Sequence, residues 1–133
     1  ITLDFFNAQK MTFTIDTVDE ATLLKDSDFI TLHVPSQDDY IISKKEFEQM
    51  KDGVGIINTA KGGILNEVDL VFAIESGKVQ FAGLDVFETE PTPAVQLLMN
   101  QEISLTPHIG AETKEAQERI GLELAVQIIK LLS

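Results

Sequence analysis

Short apolar runs alternate with segments of helical periodicity along the whole chain. Several runs are nearly continuous rather than alternating, a pattern typical of strands that are covered on both faces of a parallel sheet. Their spacing of about 25 residues suits right-handed βαβ units. The pattern predicts an α/β fold with a doubly wound parallel sheet of Rossmann type. The predicted strands are residues 1–6, 29–34, 54–58, 81–87 and 103–106.

The segments between these runs carry start and stop signals of helices. Residues 17–25 form a short helical segment with acidic residues in its first turn. Ser43, followed three residues later by Glu46, predicts a capping box at the start of the next helix. Asn66 is placed to begin a further helix, and Gly77 stands where a glycine ends one.

The last helix is predicted over residues 113–132, with a broad buried face. A further short strand is expected over residues 11–15. The apolar stripe of the last helix consists of Ala116, Ile120, Leu122, Leu124, Ala125, Ile128, Ile129 and Leu132.

Composition narrows the classes of partner. The length of 133 residues fits one domain. With 22 acidic and 10 basic residues the net charge is −12, which argues against nucleic acid or an anionic membrane as partner. The absence of cysteine excludes disulfides, thiolate metal sites and a cysteine nucleophile. It also agrees with a reducing cytosol, so a cytoplasmic location is expected.

Two further classes find no support in the sequence. There is no apolar run of about 18 residues that would span a membrane. A metal site is not expected either, because the chain has two histidines, without the i,i+4 spacing of a helical pair.

Candidate chemistry follows the ends of the predicted strands. In a parallel α/β sheet, ligands bind beyond the carboxyl ends of the strands, so these residues are expected to gather along one edge. They are Asp4, His33, Lys61, Gly62, Gly63, Asp85, Glu90 and His108.

Each of these candidates has two interpretations. Glu90 and His108 suit acid–base catalysis, but as isolated residues they are better explained as a solvated glutamate and a strand-end histidine bonded to backbone. Lys61 with its two following glycines suits an anion site, but also a plain strand-to-helix turn. Asp4 suits ribose hydroxyls, and His33 is expected to shape its loop.

Four segments together carry a resemblance to a known family. They are S-D-F-I-T-L-H-V-P at 27–35, I-N-T-A-K-G-G-I at 57–64, G-L-D-V-F at 83–87 with Glu90 and Pro91 after it, and T-P-H-I-G-A at 106–111. In order and spacing they resemble the signatures of the NAD-dependent D-2-hydroxyacid dehydrogenases. Residues 110–117 are especially similar to the D-3-phosphoglycerate dehydrogenase branch.

The resemblance implies three catalytic residues. His108 would donate and accept the proton of the substrate's C2 oxygen, and Glu90 would hold that imidazole. Lys61 stands where the family has arginine and would bind the substrate carboxylate. A lysine keeps the charge but replaces a planar fork by a point contact.

The resemblance also implies an NAD site. Asp4 would bind the ribose and repel a 2′-phosphate, which favours NAD over NADP. The other implied contacts are Val34 and Pro35 on the adenosine side, Thr59 and Ala60 at the nicotinamide ribose, Asp85 at the nicotinamide, and Lys61, His108, Gly110 and Ala111.

The family's glycine-rich fingerprint is absent from the chain. It is expected about 20 residues before the ribose acid, upstream of Ile1. Residues 1–133 are therefore predicted to be a partial dinucleotide-binding domain, lacking the first strand–helix unit and the substrate domain. Alone, the chain is expected to be inactive and to bind NAD poorly. The resemblance further implies a homodimer.

The implied function is hydride transfer between NAD and a D-2-hydroxy acid, with 3-phosphoglycerate, and hence serine biosynthesis, as the favoured case. The alternative is an NAD-sensing interaction module without turnover, similar to the C-terminal binding protein corepressors. A hydrolase using Glu90 and His108 lacks a recognisable nucleophile elbow.

Overall fold

The computed structural model describes residues 2–4, 10–12 and 14–132. Strands and helices alternate through most of this range. The elements in chain order are β1 (Thr2–Asp4), β2 (Lys10–Thr12), α1 (Glu20–Asp26), β3 (Phe29–Leu32), α2 (Lys44–Gln49), β4 (Val54–Asn58), α3 (Glu67–Glu75), β5 (Val79–Leu84), α4 (Val95–Leu98), β6 (Ile103–Leu105) and α5 (Lys114–Leu132).

A four-stranded parallel sheet in the order β3-β4-β5-β6 forms the centre of the fold. The last residues of the four strands pair in one row, with Leu32 opposite Asn58, Asn58 opposite Leu84, and Leu84 opposite Leu105. This confirms the predicted α/β class. It also means that the residues following each strand start from a common line at the carboxyl edge.

Local capping signals fix the helices next to the sheet. The backbone N–H and the hydroxyl of Ser43 both donate to Glu46, at 3.0 and 2.7 Å, so the predicted capping box is confirmed. The Asn66 side chain accepts the N–H of Asp69 at 2.9 Å and begins α3. Gly77, just beyond α3, has a φ of 77°, a conformation that favours glycine.

The hydrophobic core lies on the face of the sheet that carries Ile30, Ile56 and Ala82. Side chains of α2 and α3, such as Phe47 and Leu70, are buried in the same cluster. Burying an aliphatic or aromatic side chain of this size stabilises a fold by about 1.5–3 kcal/mol. This cluster therefore holds the strands and their connecting helices together.

The other face of the sheet departs from the prediction that both faces are covered. Phe29 is 68% exposed, and Ile57 and Phe81 are each 37% exposed. The rings of Phe29 and Phe81 lie 5.9 Å apart above Gly55. The buried apolar side chains of α1 to α4 belong to the core cluster on the opposite face, which leaves this one open.

The predicted first strand does not join the parallel sheet. Within residues 1–6, β1 pairs with β2 in a separate two-stranded antiparallel sheet, with Thr2 opposite Thr12. A short connection permits antiparallel pairing, whereas parallel pairing needs a long crossover. The strand expected over residues 11–15 is represented by β2, which ends at Thr12. Residues 1, 5–9 and 13 lie outside the described residues.

Helix α5 has almost the predicted bounds, but the predicted burial of its apolar face is wrong. Ala116 is its buried residue, whereas Ile120 and Leu124 are more than half exposed. The amphipathic pattern predicts a face that favours burial, but the described residues do not cover it. Helix α4 was not predicted, and α1 begins three residues later than predicted, after the Asp19 cap.

No helix in the described part of the chain combines the length and apolar character needed to cross a membrane.

Candidate active site

An open crevice of about 670 Å³ lies at the carboxyl edge of the parallel sheet. It brings together Lys61, Glu90 and His108, the three side chains that the sequence predicted to meet. Tyr40, from the segment between β3 and α2, lines the same crevice. Parallel strands that end in one row place these loops side by side, as the rule for α/β sheets predicts.

His108 and Glu90 are in direct hydrogen-bond contact at the rim of the crevice. The imidazole Nδ1 lies 2.9 and 3.0 Å from the two carboxylate oxygens of Glu90. The hydrogen bond from His108, followed by one from the N–H of Phe87 at 3.2 Å, lowers the pKa of Glu90. An ionised carboxylate at Nδ1 favours the tautomer whose Nε2 carries the lone pair.

The loop that presents His108 is anchored by Asp85. This side chain is only 5% exposed and accepts the Thr106 hydroxyl at 2.6 Å and the N–H groups of Ile109 and Gly110 at 2.9 Å each. Burial acts to raise the pKa of Asp85, but these hydrogen bonds outweigh it and the pKa is lowered. The bonds hold His108 at a φ of 54°, in the left-handed region.

The loop that carries Lys61 is organised by Asn58, the buried last residue of β4. The Asn58 side chain donates to the carbonyl of Lys61 at 2.9 Å and accepts the N–H of Ala60 at 3.1 Å. Its own carbonyl accepts the N–H of Asp85 at 3.0 Å. Sequence analysis missed Asn58; the available signal was a polar residue ending a buried strand.

Gly62 brings the Lys61 loop against the loop that follows β5. A Cβ at Gly62 would lie 1.8 Å from the carbonyl oxygen of Phe87, so the two backbones touch where only glycine fits. Gly63, with a φ of 82°, turns the chain towards α3. The ammonium of Lys61 contributes to the lowered pKa of Glu90 across the crevice.

The predicted cofactor residues have different surroundings. Of those that follow the parallel strands, Lys61 and His108 line the crevice, and Asp85 is buried. Asp4 ends β1 in the separate two-stranded sheet, and its side chain lies outside the described residues. Thr59, Pro35, Gly110 and Ala111 are exposed, and Val34 and Ala60 pack partly against the core.

The two histidines of the chain have different surroundings. The Nε2 of His33 lies 3.0 Å from the Thr31 hydroxyl, a contact within its own loop that fits the predicted loop-shaping role. His108 instead contacts a carboxylate from another loop. Within the described ranges, no group of three or more potential metal ligands occurs.

The sequence model of the D-isomer specific 2-hydroxyacid dehydrogenases, NAD-binding domain, matches residues 4–110. The chain belongs to this family. The match confirms the resemblance read from the four segments, and it confirms a nicotinamide cofactor as the family's ligand.

Individual relatives agree with the family. The chain is 50% identical over 123 residues to a hydroxypyruvate reductase of Thermotoga maritima, covering 89% of this chain and 40% of that protein. It is 48% identical over 117 residues to a D-3-phosphoglycerate dehydrogenase of Archaeoglobus fulgidus, covering 86% of this chain and 22% of that protein. The chain therefore spans less than half the length of these dehydrogenases.

A solved structure has a similar fold. A glyoxylate reductase from Paecilomyes thermophila superposes with a TM-score of 0.74 at 45% identity, covering 79% of this chain and 33% of that one. The shared fold extends the family assignment from sequence to architecture.

Proposed function

We propose that this chain supplies the nicotinamide-binding and acid–base half of a dehydrogenase that transfers hydride between NAD and a D-2-hydroxy acid. The observation that carries the proposal is the contact between His108 and Glu90 in a crevice that also holds Lys61. Oxidising a secondary alcohol requires a base for the hydroxyl proton and a cation near the carboxylate, and these residues supply both.

In the proposed reaction His108 and Glu90 have different roles. Bound NAD would supply the acceptor for the hydride that leaves C2 with the electron pair of the broken C2–H bond. The hydroxyl proton passes to the Nε2 of His108 as the C2–oxygen double bond forms. Glu90 keeps the imidazole oriented through Nδ1 and stabilises the charge that it gains.

Lys61 is proposed to bind the substrate carboxylate and to polarise the C2 oxygen. Its side chain is exposed at the crevice, and its backbone is fixed by Asn58 and by the close packing of Gly62. A lysine makes a point contact, so we expect a less strictly oriented grip than an arginine fork gives.

For the substrate we propose 3-phosphoglycerate, and hence a place in serine biosynthesis, supported by the relatives named D-3-phosphoglycerate dehydrogenase. Hydroxypyruvate is the second candidate, because a relative 50% identical is named a hydroxypyruvate reductase. Measuring the reduction by NADH of 3-phosphohydroxypyruvate, the keto acid that corresponds to 3-phosphoglycerate, and of hydroxypyruvate separates the two candidates. A homodimer and a cytoplasmic location stay predictions.

The decisive test is His108→Asn in the complete protein that carries this chain. Asparagine tolerates the left-handed φ of position 108 better than most residues, so the loop is expected to persist. We expect kcat to fall by about 100- to 10,000-fold with NAD affinity retained, because general acid–base catalysis contributes on that order. Stopped-flow absorbance and calorimetry measure the two quantities.

Unchanged turnover in His108→Asn would remove this residue from the mechanism. Absence of turnover in the wild-type protein with every D-2-hydroxy acid tested, together with tight NAD binding, would instead favour the interaction-module alternative.

A further inference from the structure

Glu67 is a buried carboxylate that the proposed chemistry does not use. It is the first residue of α3 and is only 8% exposed. Burial raises the pKa of Glu67. The hydrogen bond from the backbone N–H of Glu88 acts to lower this pKa, and the negative charge of the Glu88 side chain raises it further. Placing two carboxylates close together is unfavourable unless each accepts hydrogen bonds that offset the repulsion and the loss of solvent.

Glu67 and Glu88 exchange hydrogen bonds across the site. The N–H of Glu67 donates to Glu88 Oε1 at 3.0 Å, and the N–H of Glu88 donates to Glu67 Oε1 at 2.7 Å. We call this pair the Glu67–Glu88 clamp. It joins the start of α3, where an N–H lacks an intrahelical partner, to the loop that follows β5.

Glu88 connects the clamp to the reactive groups. Glu88 follows Phe87, whose N–H donates to Glu90 and whose carbonyl covers Gly62. Gly62 follows Lys61. The loop of Lys61 and the loop of Glu90 are therefore fastened together at two points, the Gly62–Phe87 contact and the clamp.

We propose that Glu67 is a positioning residue that fixes the spacing between Lys61 and the Glu90–His108 pair by locking their two loops together. This inference rests on the proposed function. Glu67 acts through Glu88 and Phe87 and has no role in proton transfer. What it supplies is a hydrogen-bond acceptor for the N–H of Glu88.

Two substitutions of Glu67 distinguish the effect of its hydrogen-bond acceptor from the effect of its charge. Glu67→Ala removes the acceptor, whereas Glu67→Gln keeps an amide oxygen in its place without the charge. We expect Glu67→Ala to lower kcat by about 10- to 100-fold, because small misplacements of catalytic groups cost on that order. The KM for NAD should stay unchanged, and Glu67→Gln should keep most of the kcat of the wild-type protein.

Glu46→Ala is the matched control. Like Glu67, Glu46 lies in the first turn of a helix and accepts a backbone N–H. It is half-buried in α2 and is not among the residues that line the crevice. We expect it to lower Tm without lowering kcat. Should Glu67→Ala fail to fold, Glu67→Asp displaces the same acceptor by one methylene and is expected to lower kcat in the same direction.

Three outcomes would overturn the clamp as a positioning device. They are wild-type kcat in Glu67→Ala, equal impairment in Glu67→Gln and Glu67→Ala, and a loss of kcat in Glu46→Ala that matches Glu67→Ala at equal Tm.

An NMR measurement that does not depend on turnover tests the clamp separately from the proposed function. Lack of turnover in the wild-type protein would contradict the proposed function alone. The Nδ1 proton of His108, observed by NMR, then tests the clamp directly. We expect its signal to persist in Glu67→Gln and to broaden or shift in Glu67→Ala; an unchanged signal in Glu67→Ala would contradict the inference.

Discussion

At the scale of single residues, Asp85 anchors the loop that presents His108. Its two oxygens accept three hydrogen bonds from the segment that runs from Thr106 to Gly110. The family resemblance implies a contact between Asp85 and the nicotinamide. The structure shows in addition that this carboxylate holds the backbone on both sides of His108, so its replacement should affect stability as well as the proposed cofactor contact.

Asp85→Asn is expected to destabilise the protein by about 1–3 kcal/mol. The amide nitrogen would face a backbone N–H whose hydrogen bond a carboxylate oxygen now accepts. Chemical denaturation monitored by circular dichroism measures this loss. Thr106→Val, which removes one of the three donors, is the milder control. Equal stability of Asp85→Asn and the wild-type protein would show that the loop does not depend on this anchor.

The same residue predicts a dependence of stability on pH. Because folding lowers the pKa of Asp85 below its ordinary value of 3.8, the ionised carboxylate stabilises the fold above pH 3.8. This contribution is lost as the pH falls through the lowered pKa. We therefore expect the stability difference between wild type and Asp85→Asn to shrink in that acidic window, measured by unfolding at a series of pH values. A constant difference would contradict the linkage.

At the scale of elements, Gly62 sets the distance between two loops. We expect Gly62→Ala to cost about 1–3 kcal/mol of stability, as overpacking does, because its Cβ would overlap the Phe87 carbonyl. It should also lower kcat by displacing Lys61. Gly121→Ala, in α5 with nothing within 4 Å of the added Cβ, is the control and should keep full activity. Thermal melts and initial rates test both variants.

Elements specified by local signals could be predicted from the sequence. The capping box at Ser43, the Asn66 cap and β4 all appear where local residue chemistry places them. The burial of α5 and the pairing of β1 could not be predicted, because an apolar pattern shows that a face favours burial without showing what covers it. Tertiary partners decide such cases.

The candidate site divides in the same way. The meeting of His108 with Glu90 follows from the rule that strand ends gather at one edge, which needs only the strand positions. The Glu67–Glu88 clamp joins residues far apart in sequence, and glutamates have no local signature for such bonds. Asp85 was a candidate from the sequence, whereas Asn58 was missed, and the hydrogen-bond partners of both depend on loop conformations.

At the scale of the whole molecule, a high negative charge coexists with uncovered apolar surfaces. The net charge is −12, while Phe29, Ile57 and Phe81 remain exposed on one sheet face. Like-charge repulsion keeps molecules apart in dilute salt. Added salt screens this repulsion, so the exposed apolar surfaces should then make the molecules associate.

We expect light scattering of the isolated chain to increase with salt and to be strongest near 1 M, where the screening length is about 3 Å. Phe29→Gln should reduce this association more than Phe72→Gln. The two phenylalanines are 68% and 64% exposed, but Phe29 adjoins Phe81 in one continuous patch. Equal effects of the two variants would show that the sheet face is not responsible.

The two edges of the parallel sheet are built differently. At the amino edge, neighbouring connections are joined by the exposed pairs Lys51–Asp28 and Lys78–Asp52, a kind of contact worth at most about 1 kcal/mol. At the carboxyl edge, loops interlock through buried groups and direct backbone contact. Segments exchanged between homologous dehydrogenases should therefore be joined at the amino edge, where these side-chain contacts are between solvated charges. Each grafted unit should carry its carboxyl-edge loops together.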